Sequence, residues 1–141
     1  MASVIYNSYI DDSLRALIDN DTSSFKCMLV TSAYTPNVDT HLDRADVTNE
    51  VTGTGYTAGG TAATLTVTKD TGNDRVTVQL GAVSWNTSTI TARGAVYYLD
   101  AGAAGNDRLI AYIDFGSDIS STSATFSLTA STITFQNNSA A

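Results

Sequence analysis

A lone histidine with carboxylates on both sides is the first place to look for chemistry. His41 stands between Asp39 and Asp43, and Asp46 and Glu50 follow in the same segment. An imidazole needs a nucleophile to activate or further ligands to share a metal. No serine sits in a Gly-x-Ser-x-Gly turn, and no second histidine exists for a zinc set. His41 therefore reads as a solvated loop residue or a local cap. A glycosidase needs only two carboxylates, and Asp114 and Asp118 flank Phe115-Gly116. Asp114 is expected on the face opposite Leu109 and Ile113, near solvent or an interface. Nothing surrounds these acids with an aromatic cleft, and Trp85 is the only tryptophan. Calcium is no better served. Asp39-x-x-x-Asp43-x-x-Asp46 lacks the Asp-x-Asp-x-Asp-Gly spacing of a helix–loop–helix site, and Asp70-Thr-Gly-Asn-Asp74 is what a hairpin turn itself requires. Arg44, in the middle of the acids, is expected to bridge Asp43 or Asp46 and nearby carbonyls, pinning the loop. Cys27 lies in the apolar run Phe25-Lys-Cys-Met-Leu-Val30 and reads as a small hydrophobe. No catalytic residue, metal set or cofactor is assigned, and the chain is not read as an enzyme.

The elements that must carry these residues are mostly strands. The chain has 141 residues, read as a single β-sandwich domain spanning 1–141. Charged residues are 15%, whereas Ser and Thr together are about a quarter, so solvated faces are hydroxyl-rich. A net charge of −7 argues against nucleic acid, which needs a basic face. The N-terminus has neither a basic stretch nor a long apolar one, so no signal peptide or membrane helix is expected. The sequons at Asn20, Asn86 and Asn137 are then chance matches.

A helix and arm occupy 1–22. Ser8 or Asn7 caps it, Asp11 and Asp12 lie in its first turn, and Ile10, Leu14, Leu17 and Ile18 recur at helical spacing. Phe25–Thr31 is apolar on both faces, as a central strand covered on each side would be. Leu65–Thr68 and Arg75–Leu80 alternate around a turn in which Gly72-Asn73 takes positive φ. Val83–Trp85 leads through Asn86-Thr-Ser into Thr89–Leu99, whose Ile90, Ala92, Gly94, Val96 and Tyr98 share a face. Arg108–Phe115 turns Leu109, Ala111, Ile113 and Phe115 inward, and after Gly116-Ser-Asp-Ile-Ser come Ala124–Leu128 and Thr132–Phe135. The tail 136–141 is expected to be flexible. The fold class is all-β: an antiparallel β-sandwich, jelly-roll-like, of about eight strands with one short N-terminal helix.

The segment from Asp39 to Gly60 runs from acids into a ribbon with Gly53, Gly55, Gly59 and Gly60, which holds Tyr56. Tyrosine is enriched at interfaces, and a ribbon of glycines would present Tyr56 to a partner. Two stretches together, Lys26-Cys-Met-Leu-Val-Thr-Ser-Ala-Tyr-Thr-Pro36 and residues 39–60, resemble a family of small virion proteins of tailed bacteriophages. The downstream order Val83-Ser-Trp85, Thr91-Ala-Arg-Gly-Ala-Val-Tyr97 and Leu109-Ile-Ala-Tyr-Ile-Asp-Phe-Gly116 fits the same family. Such proteins resemble capsid decoration, or cement, proteins. The resemblance implies a homo-oligomer (dimer or trimer) on the outer capsid surface of the virion, made in the host bacterial cytoplasm. Its partner would be the major capsid protein, with no membrane or nucleic acid involved. Tyr6, Tyr9, Asp39, Arg44, Asp46, Glu50, Gly55, Tyr56 and Gly59 are the candidate interface residues. On this reading, replacing Gly55 and Gly59 with Val weakens incorporation more than it weakens the fold. The alternative is a tail or fibre component binding a host receptor or glycan through an exposed platform of Trp85 with Tyr97 or Tyr98.

Overall fold

A computed structural model describes residues 2–136. Strand β1 (Val4–Ile5) precedes helix α1 (Asn7–Leu14). Then come β2 (Phe25–Val30), β3 (Thr61–Ala63), β4 (Leu65–Asp70), β5 (Arg75–Leu80), β6 (Val83–Leu99), β7 (Leu109–Leu128) and β8 (Ser131–Gln136). They form two antiparallel sheets, ordered β1-β7-β6-β2-β3 and β4-β5-β8, an all-β sandwich. The chain changes sheets at Thr64, whose carbonyl accepts from the Gly81 N–H at 2.8 Å. Residues 137–141, most of the expected flexible tail, lie outside the described residues; Gln136 belongs to β8. No helix among the described residues is long and apolar enough to cross a membrane.

Strand β2 is buried on both faces, as its unbroken apolar run predicts. Phe25, Cys27 and Leu29 enter a core between the sheets with Leu65, Val78, Leu80, Trp85, Phe126 and Ile133. Met28 and Val30 enter a second core on the opposite face, with Tyr6, Tyr34, Val96, Tyr98 and Tyr112. That outer core is roofed by the chain before α1 and by the loop after β2.

Strands β6 and β7 run through the two predicted breaks, and both breaks are real as bulges. The register slips between Trp85 and Ser88, where Thr87 takes φ 50°. Between Ala92 and Gly94, β7 moves from Ile119 to Asp114, so Phe115–Asp118 bulge out. A bulge reverses the alternation of side chains beyond it. Consequently Ile90 and Ala92 face the inner core whereas Val96 and Tyr98 face the outer one, correcting the single face expected for these residues. An irregularity at Tyr97/Tyr98 likewise sends Leu109 to the outer core while Ala111 stays inside. In the β4–β5 turn Asp74 takes the positive φ expected of Gly72-Asn73, and Asp70 accepts from Asn73 Nδ2 at 2.8 Å.

Helix α1 departs furthest from expectation. Tyr6 occupies its N-cap with no side-chain capping bond, and Asp11 and Asp12 fall in the second turn. Tyr9 and Asp12 face inward. Tyr9 donates to Asn20 Oδ1 at 2.8 Å, and Asp12 pairs with Arg108 at 3.1 Å. These polar pairs set the helix rotation, so Ile10 and Leu14 stand outward, Leu14 being 84% exposed; α1 stops at Leu14, and of Leu17 and Ile18 in the turn beyond it only Ile18 is buried.

Candidate functional site

The loop after β2 starts with a local cap. Asn37 Oδ1 accepts from the Asp39 and Thr40 N–H groups at 3.0 and 3.1 Å, and the Asn37 N–H points at His41 Nδ1 at 3.3 Å. With that donor facing it, Nδ1 is an acceptor, and the Tyr34 hydroxyl donates to it at 2.9 Å. Tyr6 in turn donates to Tyr34 at 2.7 Å. His41 thus ends a chain of buried phenols.

The acids are spent on backbone. Asp43 accepts from Ala45 N, and Asp46 from Leu42 N and Asp43 N at 2.8 and 3.2 Å, closing a reciprocal capping box around a single 3-10 turn, Arg44–Asp46. The Leu42 N–H holds the Asp46 carboxyl below its usual range, against the cost of desolvation, and the Asp43 N–H adds to it. Arg44 turns away from both acids. Its Nε donates to Asp107 Oδ2 at 2.7 Å, and its guanidinium lies 5.3 Å over the Tyr98 ring. Asp107 is almost wholly buried and also accepts from Ala101 N at 2.7 Å. No local pattern pointed to Asp107, which lies 63 positions from Arg44.

From Asn49 the segment lies along the edge of β2. Thr31 N–H donates to Asn49 O and Val51 N–H to Leu29 O, both at 2.9 Å, and β3 continues the same edge. Glu50 clasps the turn that follows: its Oε1 accepts from the Tyr56 hydroxyl at 2.7 Å and the Gly59 N–H at 2.6 Å. The Tyr56 oxygen accepts from Leu29 N–H at 2.9 Å, its ring lies 5.8 Å from that of Trp85, and Tyr98 donates to Gly59 O. Burial first, and then the Glu50 carboxylate, push the Tyr56 phenol up, while the Leu29 N–H opposes them. Tyr56 is therefore bound rather than presented by a mobile ribbon. Gly55, at φ +81°, would bring a Cβ within 2.7 Å of Thr87 O. Gly55→Val accordingly strikes the fold itself, as does Gly59→Val at φ +91° in a buried turn.

No protein-family model, no curated protein and no solved structure matches this chain. Of the candidate interface residues, Glu50, Tyr56 and Gly59 come together and Arg44 joins them through Tyr98. Tyr6 and Tyr9, also candidate interface residues, are fully buried in this fold and offer no surface to a partner. Asp39 is exposed and accepts from Asn7 Nδ2 at 2.6 Å, tying the loop to α1, and the Asn7 N–H reaches Val38 O at 3.0 Å. Asp114 is covered as well: its carboxylate holds Arg93 at 2.9 Å. Trp85, Tyr97 and Tyr98, the expected glycan platform, lie in the two cores. Burial pushes the Cys27 thiol up, so it stays protonated. Among the described residues no three of His, Cys, Asp and Glu converge to hold a metal ion.

Tyr56→Phe is expected to cost about 1–3 kcal/mol, because it leaves the Leu29 N–H without its acceptor inside the fold. Urea unfolding of the two proteins measures it. A loss under about 0.5 kcal/mol would mean that water replaces the hydroxyl.

Proposed function

We propose that this chain is a capsid decoration protein of a tailed bacteriophage. It binds the outside of the shell and stabilises joints between major capsid subunits. The observation that carries this reading is the pair of outward apolar residues Ile10 and Leu14 of α1, with the exposed Leu17 in the turn just beyond it, tied through Asn7 to the loop that bears the 53%-exposed Leu42. Exposed aliphatic side chains on a braced helix give up contact with water on docking and need no rearrangement to do so. The resemblance supports it further. Its two most telling stretches, 26–36 and 39–60, form one unit along β2, with their glycines and acids consumed in holding shape. Binding to the assembled shell but not to free subunits stabilises the shell by mass action.

Shells lacking the protein, mixed with purified chain, test this by cosedimentation and heat resistance. Wild type is expected to bind and to raise the temperature of shell disruption. Leu14→Glu should bind at least about tenfold more weakly, with its far-UV circular dichroism unchanged because Leu14 contacts little of its own fold. Equal binding by the variant, or shells that resist heat and chelation equally well without the protein, would sink the reading.

A further inference from the structure

Every charged side chain of the protein precedes Ile119. The neutral stretch that follows includes β8, Ser131-Thr-Ile-Thr-Phe-Gln136, which pairs with β5 in unbroken antiparallel register on one side and has no strand on the other among the described residues. An open, straight, uncharged, proline-free edge is a template for another strand. The other edge strands are poorer templates: β4 carries Lys69 and Asp70, and β1 and β3 are only two and three residues long. Beside β8, between it and β1, runs an apolar groove of about 330 Å³ that includes Val4, Ile5, Leu80, Ile113 and Ile133. Phe135, further along β8, is 37% exposed.

We propose that a second copy of this chain pairs along this edge, β8 against β8, antiparallel about a twofold axis. The two three-stranded sheets then form one continuous six-stranded sheet. Charge selects the occupant. Copies of net charge −7 repel across most faces, and this edge lets two of them meet with no like charges opposed. The strand is also self-complementary. With Thr134 on the axis, Ile133 of each copy lies opposite Phe135 of the other on the inner face, and Thr132 lies opposite Gln136 on the outer face. Such apolar cross-strand pairs stabilise an antiparallel ladder, and the added strand covers the groove.

The inference stands on the edge itself and not on the capsid reading, so a monomer that binds shells would overturn it alone. Sedimentation of the full chain over a concentration series is expected to show a dimer. Thr134 is exposed on the outer face, so Thr134→Lys leaves the core intact while placing two ammonium groups together at the axis. It should weaken dimerisation at least tenfold at low salt with an unchanged circular dichroism spectrum. Thr134→Cys should form a disulfide-linked dimer on air oxidation, because each residue faces its own copy and Cys27 is buried. A monomer at every concentration overturns the inference and leaves the edge to a strand of some other protein. A dimer that neither cross-links through Thr134→Cys nor weakens with Thr134→Lys overturns it too, since the copies then meet elsewhere.

Discussion

Raising the pH above about 10 is expected to unfold this protein in one steep step, with its tyrosines ionising together. All seven phenols are pushed upward, each mainly by burial. Tyr98 is pushed up to about 12. Donation to Tyr34 adds to the shift at Tyr6, and the Asp114 carboxylate adds to it at Tyr112. A raised folded-state value means the native chain keeps a proton that the unfolded chain releases. That stability is fully present below the unfolded value near 10 and is lost as pH rises toward the folded one. Each phenol ionised only in the unfolded ensemble removes about 1.4 kcal/mol per pH unit. Seven together remove about 10 kcal/mol per unit, comparable with the whole stability of a small domain. Near-UV tyrosinate absorbance and far-UV circular dichroism followed through the same titration should therefore coincide. Phenols that ionise one by one near pH 10 while the strand signal persists would show that the rings are accessible, and would refute the prediction.

Gly60→Ala is expected to cost roughly 3 kcal/mol or more and to lower Tm by about 10 °C. Gly60 sits at φ +79°, and a Cβ there would stand 1.8 Å from the Cys27 carbonyl oxygen and 2.7 Å from Met28 Cα. Both neighbours are backbone of the central strand, so nothing flexible can give way. Its N–H also closes the turn onto Thr57 O at 2.9 Å, just before β3 pairs Thr61 with Cys27. Gly102→Ala separates strain from collision: Gly102 has φ +93° but nothing within 4 Å of the added carbon. It should cost only about 1 kcal/mol. Thermal melts that place the two variants within about 1 kcal/mol of each other would remove the steric part of the argument.

Much of the sandwich was legible because its signals are local. The two-sided apolar run of β2, the alternation of Arg75–Leu80 and the Asp70–Asp74 turn each follow from neighbours a few residues apart. The breaks at Asn86-Thr-Ser and Gly116-Ser-Asp were visible too, though the backbone crosses them as bulges. What a bulge does to facing was not visible, because the slip belongs to a pair of strands. The candidate site divides the same way. The cap at His41 and the turn around Asp46 use partners within four positions. Arg44 took a partner 63 positions away, and Tyr56 was held by Leu29 and Glu50 rather than released by its glycines.

Helix α1 marks the limit most sharply. Its apolar spacing predicted the helix and also predicted, incorrectly, the face it buries. Tyr9 and Asp12 found Asn20 and Arg108, and those two bonds outweighed the stripe. By itself, then, the sequence determined strands, turns and a neutral C-terminal stretch. Only the tertiary structure decided which apolar residues face water, which acids are consumed by backbone, and which edge lacks a neighbour. Each of these is a competition among groups distant in sequence, and chain closure, not local periodicity, brings the competitors together.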